Sequence, residues 1–400
     1  MSLLGSHPVI VVGAGPVGAV FALALAKEGI SVVLLEQFAS LPEDLRASTF
    51  HPPTLDMLER LGVAEDLIGM GLIVDSYQYR DRRTGDFAQF HFRHLNGETR
   101  HPYRLQCEQW RLNRLCVARL MAFPHAEVRF SHECIGLNQD KDGVTVLVRT
   151  PDGEKQIRGS LVFGSDGASS RVRRACGIPF EGFTYPEKFL VASTPYPLEN
   201  FFPGLCGVNY IADPDEWCVI LRCNKLWRVL FPTNPDDSDE KLLSDTYVQD
   251  RLQQLAPTGT PYELGHTSLY KVHQRVAVSY RHGRVLIGGD AAHVNNPLGG
   301  MGMNGGIHDA INLAEKLLQI RDGGDDALLD VYDRQRRLTA QRFVQEQSIK
   351  NKALMEERDP GAQHRRQQEY MRTAADPVLA KEFLLRTSMI RIVRESYSIH

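Results

Sequence analysis

The chain has 400 residues, 42% apolar and 24% charged, enough to bury a large core and to divide into two or three domains. A net charge of −3 provides no basic field for nucleic acid or anionic lipid and leaves a small molecule as the expected partner. Seven cysteines, an odd number with no C-x-x-C pair, argue against a disulfide framework and a zinc site and place the protein in a reduced cytoplasm, with no metal expected. No apolar run approaches the ~18 residues of a membrane span, and residues 1–8 are too short for a signal peptide.

The first predicted element is Val9–Val12, a β-branched run suited to a strand buried on both faces, and GAGPVG follows it directly. Gly13 permits a tight turn, Gly15 lets the backbone approach a pyrophosphate, and Gly18 lets the next helix pack on the strand, with Ala14, Pro16 and Val17 completing the turn. The helix through Ala19–Lys27 offers unpaired N–H groups to phosphates, and Glu36 ends the following strand where a ribose hydroxyl needs an acceptor. The glycine spacing alone is a weak signal. Strand before it, apolar helix after it and the acid at the expected distance together predict a dinucleotide site.

A loop carrying Arg46 leads to a helix from about Thr54, with Leu55, Leu58 and Leu61 on one face and Gly62 as its stop. From Ile73 to Arg100 two strand-like runs flank a TGD turn, a first excursion outside the nucleotide unit. Gln109–Phe123 returns to helical period. VTVLVRT and EKQIRGS then read as antiparallel strands joined by PDG, and Leu161–Phe163 as a buried strand ending at Asp166-Gly167. That pair reads either as a carboxylate aimed into the crevice of an α/β sheet or as an ordinary Asp-Gly turn. Residues 181–275 hold about five extended runs and are the candidate substrate-binding sheet. RVLIGGDAAHVNNPLGGMGMNGG repeats the opening logic: strand, Asp290, glycine loop, and a helix from near Asn304 whose N-terminus suits a second anionic group. Ala327–His400 is helical and charged, with breaks at Asp359-Pro360 and Asp376-Pro377.

With these motifs placed, the chain resembles the FAD-dependent aromatic hydroxylases, the single-component flavoprotein monooxygenases built like p-hydroxybenzoate hydroxylase. GAGPVG with Glu36, GSDGASSRVRR and GDAAHVNNPLGGMGMN match the family's three motifs in order and spacing. RASTFHPPTLDMLERLG resembles its arginine-bearing loop and QWRLNRL its helix opening on a flavin-contacting glutamine. The chain departs from the family in Ala168-Ser169-Ser170, which lacks a common second arginine, and in showing no extra C-terminal domain of the larger phenol hydroxylases. The resemblance implies an α/β fold with an inserted α+β substrate sheet. A discontinuous Rossmann-like FAD-binding domain is expected from 1–74, 101–180 and 276–345, a substrate β-sheet domain from 75–100 and 181–275, and a C-terminal helical segment from 346–400.

It also implies the chemistry. FAD is reduced by NADH or NADPH, captures dioxygen as a flavin hydroperoxide and passes one oxygen to a phenolic or N-heteroaromatic ring, expected to be acidic. Glu36 is expected at the adenosine ribose, Arg46 with the Gly13–Gly18 turn at the pyrophosphate, and Gln109 and Asp166 along the flavin. Asp290 is expected at the ribityl chain, and Gly300, Gly302, Met303 and Asn304 at the flavin's pyrimidine edge, where charge builds on reduction. Pro297 is expected over the reacting ring. In WCVILRC, strand alternation puts Arg222 on one face with Cys218 and Ile220, and its planar fork suits a ring carboxylate, with Tyr210 and Arg228 as rival anchors. Two other readings share the first motif: an FAD-dependent dehydrogenase or reductase without oxygen transfer, and a binding protein that has lost flavin chemistry. The sequence does not distinguish NADH from NADPH, and a homodimer is compatible with it.

Overall fold

The computed structural model describes residues 3–43, 47–213 and 215–400, the side chains of 343 and 344 excepted. Val9–Val12 is buried at every residue because it lies inside a six-stranded sheet ordered Arg281–His282, Val285–Ile287, Leu161–Gly164, Val9–Val12, Val32–Leu35, Ala126–Arg129. The pairings are parallel except at the Arg281–His282 edge. Parallel strands need helical crossovers, so helices cover the sheet and its strands read as unbroken apolar runs. The two helices Pro16–Lys27 and Gly302–Arg321 pack together. Their close approach rests on small residues: a Cβ on Gly289 or Gly306 would stand 2.7 or 2.6 Å from Val17 Cγ2.

The two strand-rich stretches join into one eight-stranded sheet, ordered His293–Val294, His266–Ala277, Phe180–Thr194, Leu226–Pro232, Cys218–Cys223, Val208–Ala212, Ser76–Asp81, Phe87–His91. The joint is a parallel pairing of Val208–Ala212 with Ser76–Asp81. Side chains alternate between two faces. Val191, Tyr210, Val219 and Leu230 share a core with Leu298, Met355 and Leu384. Ile211, Cys218, Ile220, Trp227 and Val229 share another with Val248 and Leu252 of the helix Asp245–Leu255.

Glu133–Gln139, Val144–Thr150 and Gly153–Gly159 form a separate antiparallel sheet. The helix expected from about Thr54 runs over Pro52–Arg60, two residues earlier, since prolines are accepted in a first turn whose N–H groups lack intrahelical partners. The two Asp-Pro breaks are helix starts. Asp359 accepts from the N–H of Gly361 and Ala362, and Asp376 from Val378 and Leu379, each with proline next in the first turn. Among the described residues no helix is long and apolar enough to cross a membrane.

Candidate cofactor and substrate site

The glycine turn is set by contact distances. A Cβ on Gly13, whose φ is +100°, would lie 2.7 Å from the Ser165 carbonyl oxygen, and one on Gly18 would lie 2.0 Å from that of Gly13. At Gly15 a Cβ would meet nothing within 4 Å, so this side of the turn is open at the N-terminus of the helix Pro16–Lys27, where backbone N–H groups suit a phosphate. Glu36, 7% exposed, accepts from the N–H of Ala14 at 2.9 Å and of Phe38 at 3.1 Å. Its carboxylate therefore ties the turn to the end of the second strand.

Two loops at the strand ends flank this turn. Asp166 accepts from Ser170 Oγ at 2.5 Å and from the N–H of Arg171 and Val172 at 2.6 and 3.1 Å. These bonds cap the short helix Arg171–Ala175, as an Asp-Gly turn would. Arg173, which the sequence reading passed over, is buried and donates to the carbonyls of Ala291 and Ala168 at 2.8 and 2.9 Å, joining the two loops. Asp290 is exposed in the turn Gly289–Ala291 at the strand end. Beneath it, fully buried Asp309 accepts from Gly289 N–H at 2.9 Å, His293 Nε2 at 3.0 Å and Arg336 Nε at 2.6 Å. Burial pushes this carboxyl up, but Arg336 and then His293 outweigh it and hold it below the usual carboxylate range.

The loop that follows carries Pro297, which is exposed, and its carbonyl accepts from Gly300 N–H at 3.0 Å. Gly299 and Gly300 have φ of +101° and +66°, which glycine adopts without strain. The helix begins at Gly302, so the N–H groups of Gly302, Met303 and Asn304 precede its first bond, Gly305 N–H to the Met301 carbonyl. The buried Asn304 side chain accepts from His51 N–H and Thr54 Oγ1 and donates to the carbonyls of Thr49 and Gly300. It holds the helix start against the strand Thr49–Phe50.

Gln109 opens the helix Gln109–Leu120 and is half-buried. Three residues earlier, Gln106 is 1% exposed, accepts from Ser48 Oγ at 3.3 Å and Thr49 Oγ1 at 3.1 Å, and has an unpartnered Nε2. The only sequence signal for it was a polar residue inside the short run RLQC. Arg46 lies outside the described residues.

The large sheet supplies the opposite wall. Tyr210 lies on the face toward Leu298, stacked on Tyr79 at 5.0 Å, which stacks in turn on Tyr370 at 4.3 Å. A narrow cavity of about 20 Å³ runs among Tyr79, Tyr210, Leu298, Met355 and Tyr370. Arg222 corrects an expectation. Alternation does place it with Cys218 and Ile220, but that face packs on the helix Asp245–Leu255, and the guanidinium lies 5.0 Å over the Trp227 ring. Arg228 is on the Tyr210 face instead, 8% exposed, and reaches Ser48 Oγ at 3.4 Å.

The chain's residues fit a flavin dinucleotide. The turn at Gly15 is open, the helix from Gly302 starts beside the glycine loop, and Gln106 Nε2 and Asn295 Oδ1 are buried without partners in the two segments facing it. An FAD-binding protein is the class this site defines. Comparison with known proteins carries the assignment further. The family model described as FAD binding domain matches residues 6–347. The chain is 33% identical over 387 residues to para-nitrophenol 4-monooxygenase of Pseudomonas sp. (strain WBC-3), covering 94% of each. It is 34% identical over 357 residues to 6-hydroxy-3-succinoylpyridine 3-monooxygenase of Pseudomonas putida (strain DSM 28022 / S16), covering 88% of this chain and 90% of that one. The crystal structure of p-nitrophenol 4-monooxygenase PnpA from Pseudomonas putida DLL-E4 superposes with a TM-score of 0.90 at 32% identity, covering 97% and 98% of the two chains. The chain belongs to the family of FAD-dependent aromatic monooxygenases. These relatives favour oxygen transfer over the dehydrogenase alternative.

Proposed function

We propose that this monooxygenase acts on a phenol or hydroxypyridine and places oxygen on the ring carbon opposite the hydroxyl. The observation that carries the reading is the tyrosine-lined face of the large sheet, Tyr210 with Tyr79, set against Leu298 in the loop after Asp290. The names of the two relatives supply the position: 4-nitrophenol oxygenated at C4, and a 6-hydroxypyridine oxygenated at C3, each the substituted carbon opposite the hydroxyl. One dioxygen atom enters the ring and the other leaves as water, with NAD(P)H supplying two electrons. A substituent on that carbon departs with its bonding electrons as the ring becomes a quinone.

FAD, when bound, supplies the redox and oxygen-activating chemistry. Glu36 holds its ribose, the Gly13–Gly18 turn and Arg46 its pyrophosphate, and Asp290 its ribityl chain. Gln106 joins Gln109 as a flavin contact, because its buried Nε2 needs an acceptor. The N–H groups of Gly302–Asn304 would meet the flavin's pyrimidine edge, where a helix N-terminus favours negative charge by ~0.3–2 kcal/mol. Pro297, which has no N–H, would border the reacting ring without offering a proton. Leu298, Met355 and the tyrosine rings keep water from the reacting atoms. The FAD-binding domain comprises 1–74, 101–180 and 276–345, and the substrate domain 75–100 and 181–275. A cytoplasmic setting is supported by seven cysteines that are all unpaired.

Oxygen uptake over a panel of 4-substituted phenols and 6-hydroxypyridines tests this. The purified protein is expected to be yellow and to consume oxygen and NAD(P)H equally only with a ring present. Conversion of all the oxygen to hydrogen peroxide, with every ring recovered unchanged, would refute it.

A further inference from the structure

We infer that the cleft between the hairpin tip at Cys223–Leu226 and the start of the helix Gln109–Leu120 is an anion subsite filled by the pyrophosphate of NAD(P)H. The inference rests on the monooxygenase reading for the identity of that ligand, not for the site itself. The cleft has a volume of about 390 Å³, within the range of small-molecule sites. Its lining brings the basic side chains of Arg111, Lys225, Arg228 and His266 together with Glu108 and the apolar Leu226.

Two buried groups in this cleft lack the partners their chemistry demands. Arg228 is 8% exposed, and its one side-chain hydrogen bond among the described residues, to Ser48 Oγ, is long at 3.4 Å. Ser193, 1% exposed, stands directly across from Arg228 in the sheet register, and its Oγ has no hydrogen-bond partner. Opposed residues on neighbouring strands project from one face about 5 Å apart, so the guanidinium and the hydroxyl converge on the same space. A buried cation without a counter-ion is costly, and a buried hydroxyl without a partner adds to that cost. An oxyanion answers both at once.

Charge points the same way. Glu108 is engaged by Arg111 at 2.8 Å, which cancels that pair. Arg228 and exposed Lys225 stay uncompensated among the described residues, two positive charges for the two negative charges of a pyrophosphate. Burial raises the Cys223 thiol, so it stays neutral and opposes no anion. The cleft also adjoins the cofactor side. Cys223 Sγ is 3.7 Å from Ser48 Oγ, which donates to Gln106, so an anion held here has its remainder beside the flavin contacts.

The test uses the FAD-loaded enzyme, with ADP-ribose as a pyrophosphate probe lacking nicotinamide, and 4-hydroxybenzoate compared with neutral phenol as substrate probes. Calorimetry gives Kd for wild type, Arg228→Gln and Lys225→Glu. Lys225 is exposed at a hairpin tip, so its reversal leaves the fold and flavin content intact. If the pyrophosphate is the occupant, Kd for ADP-ribose rises about tenfold or more in Arg228→Gln, rises several-fold in Lys225→Glu, and weakens with added salt in wild type. A rise in Kd for 4-hydroxybenzoate, with that for phenol and for ADP-ribose unchanged, would assign the cleft to the substrate and overturn the inference, as would unchanged affinity for both anions in both variants. Ring-dependent oxygen uptake by wild type is measured beside it. Loss of that activity with the ADP-ribose effect intact would sink the hydroxylase reading and leave the subsite standing.

Discussion

Gln274 offers a way to disturb the loop that carries Pro297 from outside that loop. Its Oε1 accepts from Asn296 N–H at 3.0 Å and its Nε2 donates to Ser348 Oγ at 2.7 Å, while Asn296 donates to the Ser348 carbonyl at 2.9 Å and accepts from Leu298 N–H at 3.1 Å. Gln274, Asn296 and Ser348 are all buried, so the network pins the residues on either side of Pro297 to the large sheet and to the C-terminal helices. Gln274→Leu keeps the volume and orphans Asn296 N–H, while Ser348 Oγ loses one donor and still donates to the Gln345 carbonyl at 3.2 Å. At ~1–3 kcal/mol for a buried group left unsatisfied, stability should fall by about 1–3 kcal/mol. Urea unfolding of the apo-protein measures that loss. Because Asn296 lies in the loop, the same variant should release several-fold more hydrogen peroxide per NAD(P)H oxidised, with unchanged flavin content. Gln274→Glu, which keeps the acceptor for Asn296, should recover most of the coupling. A Gln274→Leu enzyme that loses stability yet couples like wild type would refute a role in positioning the loop.

Glu36→Ala should raise the Kd for FAD by roughly 10–100-fold, since hydrogen bonds to a charged group contribute ~1.5–3 kcal/mol. A fall in apo-protein stability with unaltered FAD affinity would mean that the carboxylate only holds Ala14 and Phe38. Pro297→Gly leaves the carbonyl able to accept from Gly300 but frees φ, so peroxide release should rise at constant flavin content; equal coupling in mutant and parent counts against a loop poised over the ring. His308 is pushed from 6.5 to about 3, first by burial and then by Arg336. The folded state keeps it neutral while the unfolded chain takes up a proton below 6.5. Its contribution is therefore present above that value and is lost as pH falls, by about 2 kcal/mol at about pH 5. His51, lowered chiefly by burial, adds in the same direction. Urea unfolding across this range should show the decline, and His308→Gln should flatten part of it; identical slopes would refute the assignment.

The cofactor class was legible in the amino-acid order, because the signals for it are local. A β-branched strand, the turn Gly13–Gly18 and Glu36 lie within one stretch of chain, and each role follows from a missing side chain or an acid at a strand end. Alternation was equally local, and it put Arg222 with Cys218 and Ile220 as the sheet does. Which face of the large sheet carries the cleft is a different kind of fact. It depends on what packs against the sheet: Leu298 and the C-terminal helices on one side, Asp245–Leu255 on the other. That Arg228 and Ser193, not Arg222, line the cleft follows from the packing of elements distant in the chain. The same holds for the pairing of Val208–Ala212 with Ser76–Asp81, which makes one sheet of two distant stretches, and for Gln106, marked by an orphaned amide that exists only after burial. Asp166 shows the limit from the other side. Its dipeptide fitted both a crevice acid and a turn, and the bonds to Ser170, Arg171 and Val172 engage it as a cap. Periodicity reports which residues share a face within an element, whereas partners, counter-ions and unpaired groups arise from contacts between elements far apart in the chain.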